Sequence, residues 1–554
     1  MTLSEQVAAW IDGDPDPATR EDLAAVSGAE LADRFRAPLS FGTAGLRGKV
    51  RAGPNGMNVA VVVRTSAGIG NWLRQQNNDS IGGSTVVVGR DARHGSESFA
   101  TAAAEVFAAQ GFEVVLLPRP LPTPVLAFAV RALDAELGVQ ITASHNPAAD
   151  NGYKVYLRGG AQLISPADAE IEAEIAKVGQ ASAVPRRIVS PSGSDITDRY
   201  LRTLPHLARS AQRHIRIALT PLHGVGGELA LTALRGVGFD DIHVVESQFE
   251  PDPEFPTVAF PNPEEPGAAD ALLSLAEEVD ADLAIALDPD ADRCAVGVPT
   301  PEGWRMLSGD ETGALLANHL LADAPPNSLV ANTIVSSQLL SKLAPARGAR
   351  YARTLTGFKW LVRAGEGLIY AYEEAIGHCV DPNAVNDKDG ISAAVVLADL
   401  VATLRSDNRT LTDVLDDLAV EFGVHSGAQV STRVDDLSRI ASMMQRLRAD
   451  PPSELAGHSV TVNDLLVEGG PLRTDAVELV GGDVSGAGDV SGAGDVSGAG
   501  VRVIVRPSGT EPKVKAYLEV VVPVASPESL PRARAAADAL LEDLRASARS
   551  LLPM

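Results

Sequence analysis

Two rhythms of apolar spacing alternate along most of the chain. Short runs rich in Val, Ile and Leu read as buried strands, and the longer stretches between them repeat apolar positions every three or four residues, as helices do. Residues 1–36 carry helical spacing, with Leu23, Val26 and Leu31 as the apolar stripe. Helix-like 58–76, 96–110 and 124–134 then interleave with the strands TVVVG (85–89), FEVVLL (112–117) and LGVQIT (137–142). That alternation predicts a parallel sheet with right-handed crossovers. After the linker-like segment 181–195 the pattern restarts at HIRIALT (214–220), with a helix over 228–237 and a strand over 241–246. The proline-rich 251–266 reads as an extended surface loop, and LAIAL (283–287) as a further strand. Helices over 309–322, 336–344 and 391–404 alternate with strands over 328–334 and 367–378. From about residue 425 the texture changes, and the glycine-rich GDVSGA repeat (482–499) interrupts it as a flexible insertion with no assigned function.

Length and charge narrow the picture. At 554 residues the chain has room for about 3.7 domains, and its hydrophobic share of 45% supplies several cores. Aromatics are only 4%, so those cores rest on aliphatic packing. A formal charge of −25 argues against nucleic acid or an anionic membrane as partner. The N-terminus has no basic segment leading an apolar run, and no stretch is long and apolar enough for a spanning helix, so a cytoplasmic location is expected. Two cysteines, Cys294 and Cys379, make neither a disulfide framework nor a cysteine zinc site.

The candidate chemistry sits in loops that follow strands. TASHNPAADNGYK (142–154) holds a hydroxyl nucleophile, Ser144, beside His145 and ahead of Lys154. A serine lifted off a strand end suits an open α/β sheet; the G-x-S-x-G elbow of serine hydrolases is excluded, because Thr142 and Asn146 occupy the glycine positions. FGTAGLRG (41–48), with Thr43 and Arg47, can bring N–H groups and a guanidinium to a phosphate. DPDADR (288–293) aligns Asp288, Asp290 and Asp292, hard oxygen donors that suit Mg²⁺ rather than Zn²⁺. An EF-hand is excluded, since its glycine would fall on Arg293 and its glutamate on Pro299. EEAIGH (373–378) sets Glu374, Gly377 and His378 where sugar hydroxyls can be held, with a solvated acidic turn as the alternative. RPSGTEPKVK (506–515), with Arg506, Ser508, Gly509, Thr510, Lys513 and Lys515, has the forked, hydroxyl and N–H donors that phosphate needs. For His223 in the glycine-rich TPLHGVGG turn, a structural and a functional role are equally open. Four strand-end loops, about one per domain-sized section, predict a shared cleft.

Together with TGFKW (356–360), these motifs resemble the α-D-phosphohexomutases from about residue 39 to 520, and their variants resemble the branch holding phosphoglucomutase-2-like enzymes and phosphopentomutases. The resemblance implies three consecutive α/β domains with mixed sheets (1–208, 209–307, 308–424) and a smaller α+β C-terminal domain (425–554) around a central cleft. It implies that Ser144 carries a phosphoryl group and that Asp288, Asp290, Asp292 and an oxygen on Ser144 hold Mg²⁺. Lys154 and His145 become acid/base or electrostatic groups, with Arg47 and Arg293 beside the transferring phosphoryl. Thr43, Gly357, Lys359, Glu374, Gly377 and His378 fall to the sugar, and Arg506 to Lys515 to its other phosphate. Ile376 stands where many hexomutases carry serine. The implied activity interconverts hexose 1- and 6-phosphates, glucose ahead of mannose, through a sugar 1,6-bisphosphate such as glucose 1,6-bisphosphate, in a monomer or dimer whose partners are small sugar phosphates. A pentose 1-phosphate to 5-phosphate mutase is the alternative. A HAD-type phosphatase shares the D-x-D opening but continues it differently from Ala291-Asp292, and a non-enzymatic sensor would leave Ser144 without phosphate.

Overall fold

The computed structural model describes all residues except 43–44, 77–82, 435–436, 485–497, 509–512 and 553–554. The chain divides into two compact units, Met1–Leu307 with Ala375–Thr403, and Ser308–Glu374 with Leu404–Met554. The fold is α/β, with helices and strands alternating through three sheets and an antiparallel sheet near the C-terminus.

In the first unit, residues 1–36 break into helices Leu3–Gly13, Pro17–Ala25 and Gly28–Arg34, where Asp14 to Asp16, Ser27 and the first-turn Pro17 punctuate what apolar spacing alone joins. In the next sheet Thr85–Arg90 pairs in parallel with both the edge strand Glu113–Leu116 and the central strand Leu137–Ile141. The fully buried aliphatic strand Leu137–Ile141 then turns back into Asp150–Leu157, which pairs with it antiparallel, and Leu46–Lys49 pairs antiparallel on the far side. The sheet is therefore mixed, and the Ser144 loop is the tip of a hairpin rather than a strand-to-helix turn. Helices Val59–Gln76 and Ser96–Ala109 bury Val62, Ile69, Phe99 and Phe107 against it.

A second sheet pairs Ile217–Thr220 in parallel with Ile242–Val244 and Leu283–Leu287, and the latter antiparallel with Cys294–Thr300. Its core of Ala218, Leu272, Ala284 and Ala286 also takes in Ile376. The segment 251–266 forms neither helix nor strand and is mostly exposed, as expected of a surface loop, with Phe255 buried beneath it.

In the second unit, Leu329–Thr333 pairs in parallel with Arg350–Thr354 and Leu368–Glu373. The preceding helix Gly309–Leu321 starts at a capping box made by Ser308 and Glu311. The antiparallel sheet joins Val424–Arg433, Lys513–Val522, Gly500–Pro507 and Val477–Gly482, and the long helix Leu530–Leu551 covers it with Leu540, Leu541 and Leu544. Among the described residues no helix is long and apolar enough to cross a membrane.

Candidate active site

In the first unit, two loops from different sheets meet at Ser144. The backbone N–H of Ser144 donates to Thr142 Oγ1 at 2.9 Å, and the residue sits in the left-handed region at φ 52°. Ser144 Oγ donates to Asp288 Oδ2 at 2.7 Å and lies 3.2 Å from His145 Nδ1. Lys154, on the returning strand, donates from Nζ to Asp290 Oδ2 at 2.6 Å and Asp292 Oδ2 at 2.9 Å. Arg47 Nη1 donates to Asn146 Oδ1 at 2.9 Å.

The aspartate loop is held in a tight turn from outside. A Cβ on Gly224 would lie 2.3 Å from Pro289 Cα, and one on Gly390 would lie 2.5 Å from the Arg293 carbonyl, so only glycine lets either chain approach. The TPLHGVGG turn thus braces the aspartates. Its His223 is buried with Nε2 2.8 Å from Thr257 Oγ1.

Asp288, Asp290 and Asp292 are buried, and one ligand oxygen from each falls within 4.8 Å of the others. Burial and the two neighbouring carboxylates push Asp288 well above the ordinary range. Burial acts the same way on Asp292, but Lys154, Lys388 and Arg293 outweigh it and hold that group low. Lys154 is pulled down by burial yet held above its usual value by Asp290 and Asp292. Burial, then Arg293 and Arg47, keeps His145 well below the ordinary imidazole range, hence neutral near pH 7. Asp290 Oδ1 and Asp292 Oδ1 accept no hydrogen bond, and Arg293 Nε approaches the latter only to 3.8 Å. Two orphaned carboxylate oxygens beside a third carboxylate are hard donors that fit a divalent cation such as Mg²⁺.

The other expected residues divide between the units. Gly377 and His378 lie in the first, on the short strand Gly377–Cys379; Gly377 bridges to Arg293, and burial pushes the His378 imidazole down to about 3. Ile376, at φ 53°, is 1% exposed against alanines of the second sheet, so this side chain anchors the turn and does not face a sugar.

Gly357, Lys359, Glu374, Arg506, Ser508, Lys513 and Lys515 lie in the second unit. Glu374 Oε2 accepts from Thr333 Oγ1 and Ser336 Oγ, both at 3.1 Å. Burial, then the field of Glu374, raises the Tyr517 phenol, against the opposing effect of Arg506. The Ser508 N–H donates to the Lys513 carbonyl at 2.8 Å, and Lys515 Nζ reaches Gln429 Oε1 at 3.3 Å. Gly357, at φ 102°, caps the single turn Phe358–Leu361 that carries Lys359. Thr43, Gly509, Thr510 and most of the GDVSGA run lie outside the described residues.

Models of the phosphoglucomutase/phosphomannomutase α/β/α domains I, II and III match residues 38–182, 198–302 and 308–422, and the model of the C-terminal domain matches 462–535. The chain belongs to the phosphoglucomutase/phosphomannomutase family. It is 40% identical over 474 residues to a probable phosphomannomutase of Haemophilus influenzae, covering 84% of this chain and 93% of that one. It is 32% identical over 567 residues to a phosphopentomutase of Mus musculus, covering 94% and 90%. A putative phosphomannomutase from Thermus thermophilus shares the fold, with a TM-score of 0.70 at 24% identity over 93% of this chain and 99% of that one. The protein is accordingly a phosphomutase, an isomerase that moves a phosphoryl group within its substrate.

Three side chains of this phosphomutase site escape sequence reasoning. Lys388 Nζ lies 3.1 Å from Asp292 Oδ2, and Thr123 Oγ1 donates to Asp290 Oδ2 at 2.5 Å. Arg93 donates to the Ser144 carbonyl at 2.6 Å. Lys388 had a signal, a cation inside the acidic DKDG that opens a helix. Thr123 reads only as a helix start, and Arg93 only as a turn after a strand.

Proposed function

We propose that this phosphomutase interconverts hexose 1-phosphate and hexose 6-phosphate, glucose ahead of mannose, through a phosphorylated Ser144 and a sugar 1,6-bisphosphate. The observation that carries the reading is Ser144 Oγ at 2.7 Å from Asp288 Oδ2, within a buried aspartate set that leaves two oxygens unbonded. Asp288, Asp290 and Asp292 would hold Mg²⁺, which supplies charge neutralisation at the transferring phosphoryl.

In the first half-reaction a sugar hydroxyl oxygen bonds to phosphorus as the bond from phosphorus to Ser144 Oγ breaks. The hydroxyl's proton leaves through an acid/base group, and Ser144 Oγ regains one when it becomes a free hydroxyl. Neutral His145, 3.2 Å from Oγ, and the Lys154 ammonium are the groups within reach of that oxygen and its aspartates. Arg47 and Arg293 add positive charge there. The second half-reaction returns the other phosphoryl to Ser144, so the bisphosphate must reverse ends. For the phosphate that is not reacting we assign Arg506, Ser508, Gly509, Thr510 and Lys515, and for the sugar Thr43, Gly357, Lys359, Glu374, Gly377 and His378. A hydrolase needs no second phosphate site and must admit water, which a mutase has to exclude.

A phosphopentomutase is the second reading, favoured by the 32% identity to the mouse phosphopentomutase across 94% of this chain. The higher identity to a probable phosphomannomutase supports hexose. Coupled assays with glucose 1-phosphate, mannose 1-phosphate and deoxyribose 1-phosphate decide between them. Hexose rates are expected to dominate; a dominant deoxyribose rate overturns the assignment.

A further inference from the structure

The hairpin tip that carries Ser144 is held by its own turn bonds, Asn146 N–H to the Ala143 carbonyl at 3.1 Å and Asp150 N–H to the Pro147 carbonyl at 3.0 Å, and from outside as well. Serine at φ 52° occupies the left-handed region, which a residue with a Cβ enters at a cost. Four carbonyls of this tip converge on one side chain from another loop. Arg93 Nη2 donates to the carbonyls of Ser144 and Asn146, both at 2.6 Å. Its Nη1 donates to those of Pro147 at 2.8 Å and Asp150 at 3.2 Å.

The guanidinium has further fixed neighbours, although Arg93 Nε itself makes no hydrogen bond. Asp91 Oδ2 lies 3.4 Å from Arg93 Nε, and Asp91 Oδ1 is fixed by Ser96 Oγ at 2.6 Å and the Arg93 N–H at 3.0 Å. The ring of Phe255, from the proline-rich loop 251–266, sits 4.8 Å from the guanidinium carbon. Arg93 is only 4% exposed, so it offers no grip for a ligand of its own. Its planar fork suits several fixed acceptors at once; an ammonium carries the charge but not the fork.

We propose that Arg93 is the positioning residue for the nucleophile: it fixes the hairpin tip so that Ser144 Oγ stays beside Asp288. The inference rests on Ser144 as the phosphate carrier. A displacement of about 1 Å at a reacting atom costs about 100-fold in rate, so the loss should fall on phosphoryl transfer rather than on sugar binding.

The test uses full-length Arg93→Lys and Arg93→Met. Steady-state hexose 1-phosphate turnover is measured, together with the rate at which Ser144 takes phosphate from glucose 1,6-bisphosphate with Mg²⁺, followed by intact mass. Arg93→Lys is expected to fold, to lose about 10- to 100-fold in kcat with KM within about threefold, and to slow Ser144 loading by the same factor. Arg93→Met is expected to be slower still. A wild-type protein that takes no phosphate refutes the phosphoserine reading, separately from anything Arg93 does. The positioning role is overturned by wild-type kcat and loading in folded Arg93→Lys, or by a change that falls on KM instead. It is also overturned if neither variant folds, because Arg93 is then a requirement of the fold.

Discussion

Both units bury a cluster of charges, and the two clusters end differently. In the second unit Arg502 donates to Glu478 Oε1 at 3.1 Å and to Glu519 Oε2 at 2.8 Å, and its other donors go to the carbonyls of Ser336 and Ile334. Glu519 further accepts from Ser337 Oγ at 2.7 Å and the Gln338 N–H at 2.8 Å, and pairs with His425 at 3.0 Å. Arg353 closes the other side through Glu478 at 2.7 Å. None of these side chains keeps an orphaned buried atom among the described residues. In the first unit Lys154 and Lys388 face three aspartates, and Asp290 Oδ1 and Asp292 Oδ1 stay unbonded. A closed network is architecture, and an open one with spare carboxylate oxygens is set for a cation. Buried charge alone therefore does not mark a site; spare oxygens on carboxylates that converge within 4.8 Å do.

Neutralising one carboxylate is the strongest way to break this contrast. Asp290→Asn is expected to cut kcat about 1,000-fold and to abolish the Mg²⁺-induced rise in Tm that the wild type should show. Arg502→Met takes from Glu478 and Glu519 a buried counter-charge that Arg353 and His425 only partly replace, and should destabilise the protein by about 3 kcal/mol in denaturant unfolding, with no change in the Mg²⁺ response. Glu374→Gln keeps the acceptor for Thr333 and Ser336 but loses the charge. It should raise KM about tenfold while kcat stays within about threefold.

The smallest effect concerns Asp310, which accepts from the Ser337 N–H and from Tyr372 and which burial pushes up to about 7. A carboxyl raised on folding favours the folded state fully below its ordinary value near 3.8, and loses that contribution as pH climbs through about 7. Asp310→Asn should flatten this component of the stability–pH curve, read from urea midpoints between pH 4 and pH 7 at roughly half-unit steps.

The reactive loops were legible because turn formers and chemistry coincide there: Ser144 after LGVQIT and the aspartates after LAIAL. Their supports were not. Arg93 and Lys388 act through contacts that are long-range in sequence, and local spacing carries no such information. The return strand Asp150–Leu157 begins with Asp-Asn-Gly, so turn chemistry masked a strand whose register places Lys154 opposite Gln140. The run 367–378 reads as one strand but divides into Leu368–Glu373 and Gly377–Cys379, because Ile376 adopts φ 53° to reach an apolar core. Apolar periodicity gives a residue's partner type, not which core receives it.

The account stands on a phosphoryl group carried by one hydroxyl. Dephosphorylated protein incubated with glucose 1,6-bisphosphate and Mg²⁺, then digested and analysed by mass spectrometry, should carry a single phosphate on the peptide containing Ser144, and Ser144→Ala should carry none and lose turnover. Full turnover with Ser144 unmodified throughout, or with phosphate found instead on an aspartate of the 288–292 loop, would contradict it.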